Sequence, residues 1–163
     1  MPAKASRAAF GEALLELGAK DDRIVTLDAD LSKSTMTAKF AKTFPGRAFN
    51  LGIAESNMLG VGAGLALTGR IPFACSFACF VVGRFETIRI SVAYTNANVK
   101  IVGTHSGIAI GGLKDFPICP REQLGYGPAA ILIILNDQYA WHQGSADSIG
   151  PSFGAISRSM RPD

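Results

Sequence analysis

Residues 47–77 read RAFNLGIAESNMLGVGAGLALTGRIPFACSF, and the class of fold turns on them. Arg47 to Ile53 is a short apolar strand broken by a glycine. Glu55 to Leu67 is a helix rich in Gly and Ala. Ile71 to Phe77 is a second apolar strand, with Pro72 near its start, where a missing N–H is tolerated. Strand, helix and strand in that order form a crossover unit, the connection that parallel strands require. A single carboxylate, Glu55, heads a run of small residues that looks wholly buried. A Glu in the first turn of a helix is favoured by the helix dipole, and that alone would account for it.

The same alternation extends in both directions. Ser6 is placed to cap a helix running to Lys20, with Phe10, Leu14, Leu15 and Leu17 near one face and Gly18 as a stop. Arg23 to Asp30 is a short apolar strand ending in acidic residues. Ser32 to Phe44 is an amphipathic helix closed by Pro45-Gly46. Cys79 to Thr95 is a helix with Arg84, Glu86 and Arg89 on its polar positions, and Asn98 to His105 is a strand. Strands alternating with helices predict a three-layer α/β fold, a mostly parallel sheet with helices on both faces. Ligands of such sheets bind beyond the carboxyl ends of the strands. Asp28, Asp30, Glu55, Phe77 and His105 all fall at or just after predicted strand ends, so the site is expected there.

Composition narrows the function classes. Of 163 residues, 48% are hydrophobic and only 18% charged, which suggests a surface partly covered by a partner. The net charge of +3 is mild and its basic residues are scattered, so no nucleic-acid footprint stands out. The three cysteines are Cys75, Cys79 and Cys119; an odd number with no visible signal peptide points to a reducing compartment. The apolar stretches between 58 and 82 are broken by Gly69-Arg70 and Pro72, too short to span a bilayer. A cytoplasmic location is expected.

Three motifs compete for the chemistry. Gly60 to Gly64, GVGAG, lies inside the predicted helix rather than at its start and lacks the dinucleotide spacing; close helix packing is the reading. Ser76, His105 and Asp28 could be assembled as a hydrolase triad, but no G-x-S-x-G elbow supports it. Cys75 and Cys79 sit in an apolar run without a second ligand pair and read as core. His142 has no partner at a meaningful spacing.

From about Arg7 to Gly111 the chain resembles the pyrimidine-binding (Pyr) domain of transketolases. The segments that carry the resemblance are GIAE, GLALTGRIPF, SFACF, IRISVAY and VKIVGTHSGI. The related 1-deoxyxylulose-5-phosphate synthases share GIAE but resemble the later segments less, and the beta subunits of 2-oxo-acid dehydrogenases share only the outline. The resemblance implies a thiamin-diphosphate-binding Pyr-type fold. It also implies transfer of a two-carbon ketol unit between sugar phosphates, with thiamin diphosphate and a divalent metal, Mg2+ or Ca2+, as cofactors. In that family a separate PP domain holds the diphosphate and the metal through a G-D-G…N motif, and this chain has no such motif. The resemblance is therefore to the C-terminal subunit of a split transketolase, active only with a PP-domain partner chain in a homodimer or heterotetramer. The alternative is a non-catalytic, transketolase-like protein that keeps only the fold and the dimer surface.

The same resemblance implies roles residue by residue. Glu55 matches the glutamate that bonds ring nitrogen N1′ of the aminopyrimidine. Phe77 and Phe80 match aromatic positions that pack against that ring. Asp30 matches an aspartate near the cofactor at the subunit interface. His105 matches a histidine that contacts donor hydroxyls, and Arg7 and Ser34 match positions that bind the substrate phosphate. After Gly111 the family continues with an acidic Gly-Pro loop, whereas this chain has GLKDFPICPREQLGYGP. Residues 1–111 are thus expected to form the Pyr domain and 112–163 a divergent, partly disordered tail. That tail holds one strand-like run, ILIILND. Loss of the family's last strand and helix would leave an unpaired sheet edge and a chain that is unstable or oligomeric alone.

Overall fold

The computed structural model describes residues 5–106 and the backbone of 131–134. Within them, five strands form one parallel sheet in the order β2-β1-β3-β4-β5. These are β1 (Ile24–Asp28), β2 (Ala48–Asn50), β3 (Ile71–Phe77), β4 (Lys100–Thr104) and β5 (Ile131–Ile134). The helices are α1 (Ser6–Lys20), α2 (Ser32–Thr35), α3 (Ala38–Thr43), α4 (Glu55–Leu67), α5 (Ala78–Val82) and α6 (Phe85–Thr87). The expected three-layer parallel α/β fold is therefore observed. The β4 edge is not bare: β5, from the run ILIILND, pairs with it in parallel. The boundary expected at 111 and, apart from the backbone of 131–134, the tail expected over 112–163 lie outside the described residues.

Side chains alternate across the sheet and split the core in two. Leu27, Ala74 and Ile101 pack with Met58, Leu59 and Ala63 of α4, and with Val81, Ile88 and Val92. Ile24, Phe73, Cys75 and Val102 pack on the other face with Leu14 of α1 and Phe40 of α3. The buried stripe of α1 is Gly11, Leu14 and Gly18, while Leu17, expected in the core, is 44% exposed. Phe40 explains the shift: its ring lies where a Cβ on Gly18 would stand. Gly18 is thus a packing notch and not a stop, and α1 ends at Lys20. Arg47 closes α1 instead, donating to the Gly18 and Asp21 carbonyls at 2.7 and 3.0 Å. Ser6 is the first helical residue rather than a cap.

Two long predicted helices are broken. The expected helix over 32–44 divides into α2 and α3 at Met36, whose φ is +66°. The expected helix over 79–95 is interrupted after Val82 and continues through α6 into a π-helical segment, Ile88–Ala93. Of the GVGAG glycines, only Gly62 fits close packing, facing Leu27 and Val99; Gly60 and Gly64 face open space. No helix among the described residues is long and apolar enough to cross a membrane.

Candidate functional site

The strand order reverses between β1 and β3, because the chain leaves β1 for the β2 edge and returns to β3 through α4. The crevice beyond the carboxyl ends of β1 and β3 is the switch point at which such sheets bind ligands. Glu55 is the first residue of α4 and is only 5% exposed. The α4 N-terminus favours a negative charge there. Ser76, near the end of β3, donates its hydroxyl to Glu55 Oε1 at 3.2 Å.

A second group surrounds His105, the residue after β4. Arg7 Nη1 lies 2.6 Å from His105 Nε2, and Thr104 Oγ1 lies 2.8 Å from Nδ1. Arginine can only donate, so Nε2 accepts and the ring proton sits on Nδ1, donated to Thr104. The Thr104 hydroxyl in turn points at the Ser76 carbonyl, a long contact of 3.5 Å. His105 has a φ of +56°, a left-handed conformation uncommon outside glycine. Its ring packs on Phe77 with centroids 4.4 Å apart, and Phe77 stacks on Phe80 at 5.6 Å and 25°. Phe80 is 43% exposed, so this aromatic platform opens to solvent.

A third group ties the ends of β1 and β2 together. Asp30, with a φ of +63°, donates its N–H to Asn50 Oδ1 at 3.0 Å, and Asn50 Nδ2 returns a bond to Asp30 Oδ1 at 3.2 Å. Asp28 is buried beneath this turn. It accepts the Leu31 N–H and the hydroxyls of Thr35 and Thr37, the latter two at 2.9 and 3.0 Å. Burial pushes its carboxyl above the usual aspartate range, against the pull of those three donors. The pull of Thr35 and Thr37 toward one carboxylate accounts for the break at Met36. Ser34 is half-buried on α2, one residue before Thr35.

The structure therefore brings Arg7, Phe77, Phe80 and His105 together and puts Glu55 against Ser76. Among the described residues, no hydrogen bond joins Asp30 or Ser34 to either group. The triad falls apart: Ser76 bonds Glu55, His105 bonds Arg7 and Thr104, and Asp28 bonds threonines. No group of three or more His, Cys, Asp or Glu among the described residues could hold a metal ion. His142 and Cys119 lie outside the described residues. The sequence points to Ser76 only as a triad candidate and gives no sign of the roles of Thr104 and Asn50, because short polar residues in strands carry no spacing signal.

A parallel sheet of this order, with a shielded carboxylate and stacked rings at the ends of its strands, defines a doubly wound α/β domain whose ligand crevice lies at the switch point. Residues 3–113 match the model described as transketolase, pyrimidine binding domain, and the chain belongs to the transketolase family. It is 59% identical over 109 residues to a putative transketolase C-terminal section of Methanocaldococcus jannaschii, covering 66% of this chain and 34% of that protein. It is 48% identical to a 6-deoxy-6-sulfo-D-fructose transketolase subunit of Clostridium, covering 63% of this chain and 32% of that one. A solved structure described as a split gene transketolase, inactive beta4 tetramer, superposes with a TM-score of 0.69 at 40% identity, covering 89% of this chain and 55% of the other. The fold also matches transketolase from Campylobacter jejuni, with a TM-score of 0.70 at 19% identity over 87% of this chain and 27% of that one. The chain spans about a third of the length of the first two relatives.

Proposed function

We propose that this chain supplies the aminopyrimidine-binding half of a two-chain transketolase and acts only when a PP-domain chain completes the site. The observation that carries the reading is Glu55: a single carboxylate at a helix N-terminus, 5% exposed, with one oxygen engaged by Ser76. Its other oxygen has no hydrogen-bond partner among the described residues, which fits a ring nitrogen as the missing partner. Thiamin diphosphate, when bound, supplies the electron sink that lets a ketose be cleaved and its two-carbon fragment transferred. Glu55 would then hold a proton at ring nitrogen N1′. Phe77 and Phe80 would pack against the aminopyrimidine, and Asp30 would lie by the cofactor where the chains meet. His105 would meet donor hydroxyls, and Arg7 and Ser34 the substrate phosphate. The Arg7–His105 bond is consistent with those two roles meeting on one substrate.

The partner would hold Mg2+ or Ca2+ with the diphosphate. Exposed apolar side chains support a covered surface: Ile53, two residues before Glu55, is 85% exposed, Tyr94 69% and Leu67 66%. The relatives named as subunits support a two-chain assembly. The test is a titration of thiamin diphosphate with Mg2+ into this chain, into a PP-domain chain, and into their mixture. Saturable binding is expected in the mixture and not in this chain alone. Equal binding by this chain alone would overturn the shared-site reading.

A further inference from the structure

The hydroxyl of Ser76 is fully buried at 0% exposure and projects toward α4. A buried hydroxyl must find a partner, and its choices here are few. Its register neighbour on β4 is Gly103, which offers no side chain. Its side-chain hydrogen bond goes to Glu55 Oε1. In that bond Ser76 supplies the proton, so Oε1 is an acceptor. A proton carried by the Glu55 carboxyl then belongs on Oε2.

We propose that Ser76 is a positioning residue: its hydroxyl fixes the rotation of the Glu55 carboxyl and assigns Oε2 as the oxygen that meets N1′. This rests on the reading of Glu55 given above. A hydroxyl that only satisfied a buried carboxylate would affect stability, whereas a positioning hydroxyl changes how well the carboxyl holds the ring nitrogen's proton. Nothing in GIAE or SFACF announces the contact; the 3.2 Å bond between β3 and α4 shows it, and the two roles differ in what its removal does.

The test uses the full chain assembled with a PP-domain subunit, with thiamin diphosphate and Mg2+ as probes. Two quantities are measured: the dissociation constant for thiamin diphosphate, and the rate of hydrogen–deuterium exchange at its C2 when bound. Ser76→Ala is expected to slow exchange about tenfold, equivalent to about 1.4 kcal/mol, and to weaken binding by less than that factor. Ser76→Thr keeps a hydroxyl in place and is expected to restore most of the rate. Exchange at the wild-type rate in Ser76→Ala, or equal slowing in Ser76→Ala and Ser76→Thr, would overturn the proposal. Glu55→Gln separates the two levels. If it abolishes exchange while Ser76→Ala exchanges at the wild-type rate, only the role of Ser76 fails. If it leaves exchange intact, the reading of Glu55 fails and takes the role of Ser76 with it.

Discussion

Gly103→Ala tests the close approach of α5 to the end of β4. A Cβ on Gly103 would lie 2.8 Å from the Ala78 Cα and 3.1 Å from its Cβ. Both atoms belong to the start of α5, so no flexible side chain can swing aside. Overpacking of that kind costs about 1–3 kcal/mol. The opposing term is the lower entropy of an unfolded chain with Ala in place of Gly, about 0.4–1 kcal/mol. The steric term wins, leaving a net destabilisation of about 1–2 kcal/mol. The melting temperature should fall by roughly 2–8 °C, at about 2–4 °C per kcal/mol for a domain of this size. Urea unfolding should show a lower midpoint with an unchanged slope. Because Phe77 immediately precedes Ala78, the variant should also weaken binding of thiamin diphosphate by the assembled pair. A variant as stable as the wild type, or more stable, would show that α5 is not pressed against β4.

Two further predictions follow from single groups. Gly64 lies inside α4 facing open space, so Gly64→Ala should stabilise the isolated chain by about 0.5–1 kcal/mol in urea unfolding. A loss of stability would mean that this helix face is already covered. Asp28 has its carboxyl pushed up by burial, so the folded state binds its proton more tightly than the unfolded state does. Its contribution to stability must then rise as pH falls from the raised folded value toward about 3.9, and fall as pH rises through that window. Unfolding measured from pH 4 to 8 should show wild type gaining on Asp28→Asn toward acid, and parallel curves would contradict the burial argument.

The parts of the fold legible in the sequence were those punctuated by local chemistry. Helix α4 runs from Glu55 to Leu67 and β3 from Ile71 to Phe77, as read, because Gly52, Gly69 and Pro72 mark their flanks. Breaks imposed by tertiary contacts were not legible. Nothing local announces that Thr35 and Thr37 will both turn to Asp28, or that Phe40 needs Gly18 to lack a side chain. The site follows the same division. Glu55 and His105 stand at strand ends that periodicity finds. The bonds from Ser76 to Glu55 and from Arg7 to His105 join residues far apart in the chain and depend on strand register and helix placement.

Ketol transfer in the assembled pair tests the central claim most directly. The chain is mixed with a PP-domain subunit, thiamin diphosphate and Mg2+, and transfer from a ketose phosphate to an aldose phosphate is followed. Turnover by the mixture, absent from either chain alone and reduced roughly 10²–10⁴-fold by Glu55→Gln, is the predicted result. Turnover unaffected by Glu55→Gln, or no turnover by a mixture that binds the cofactor, would contradict it.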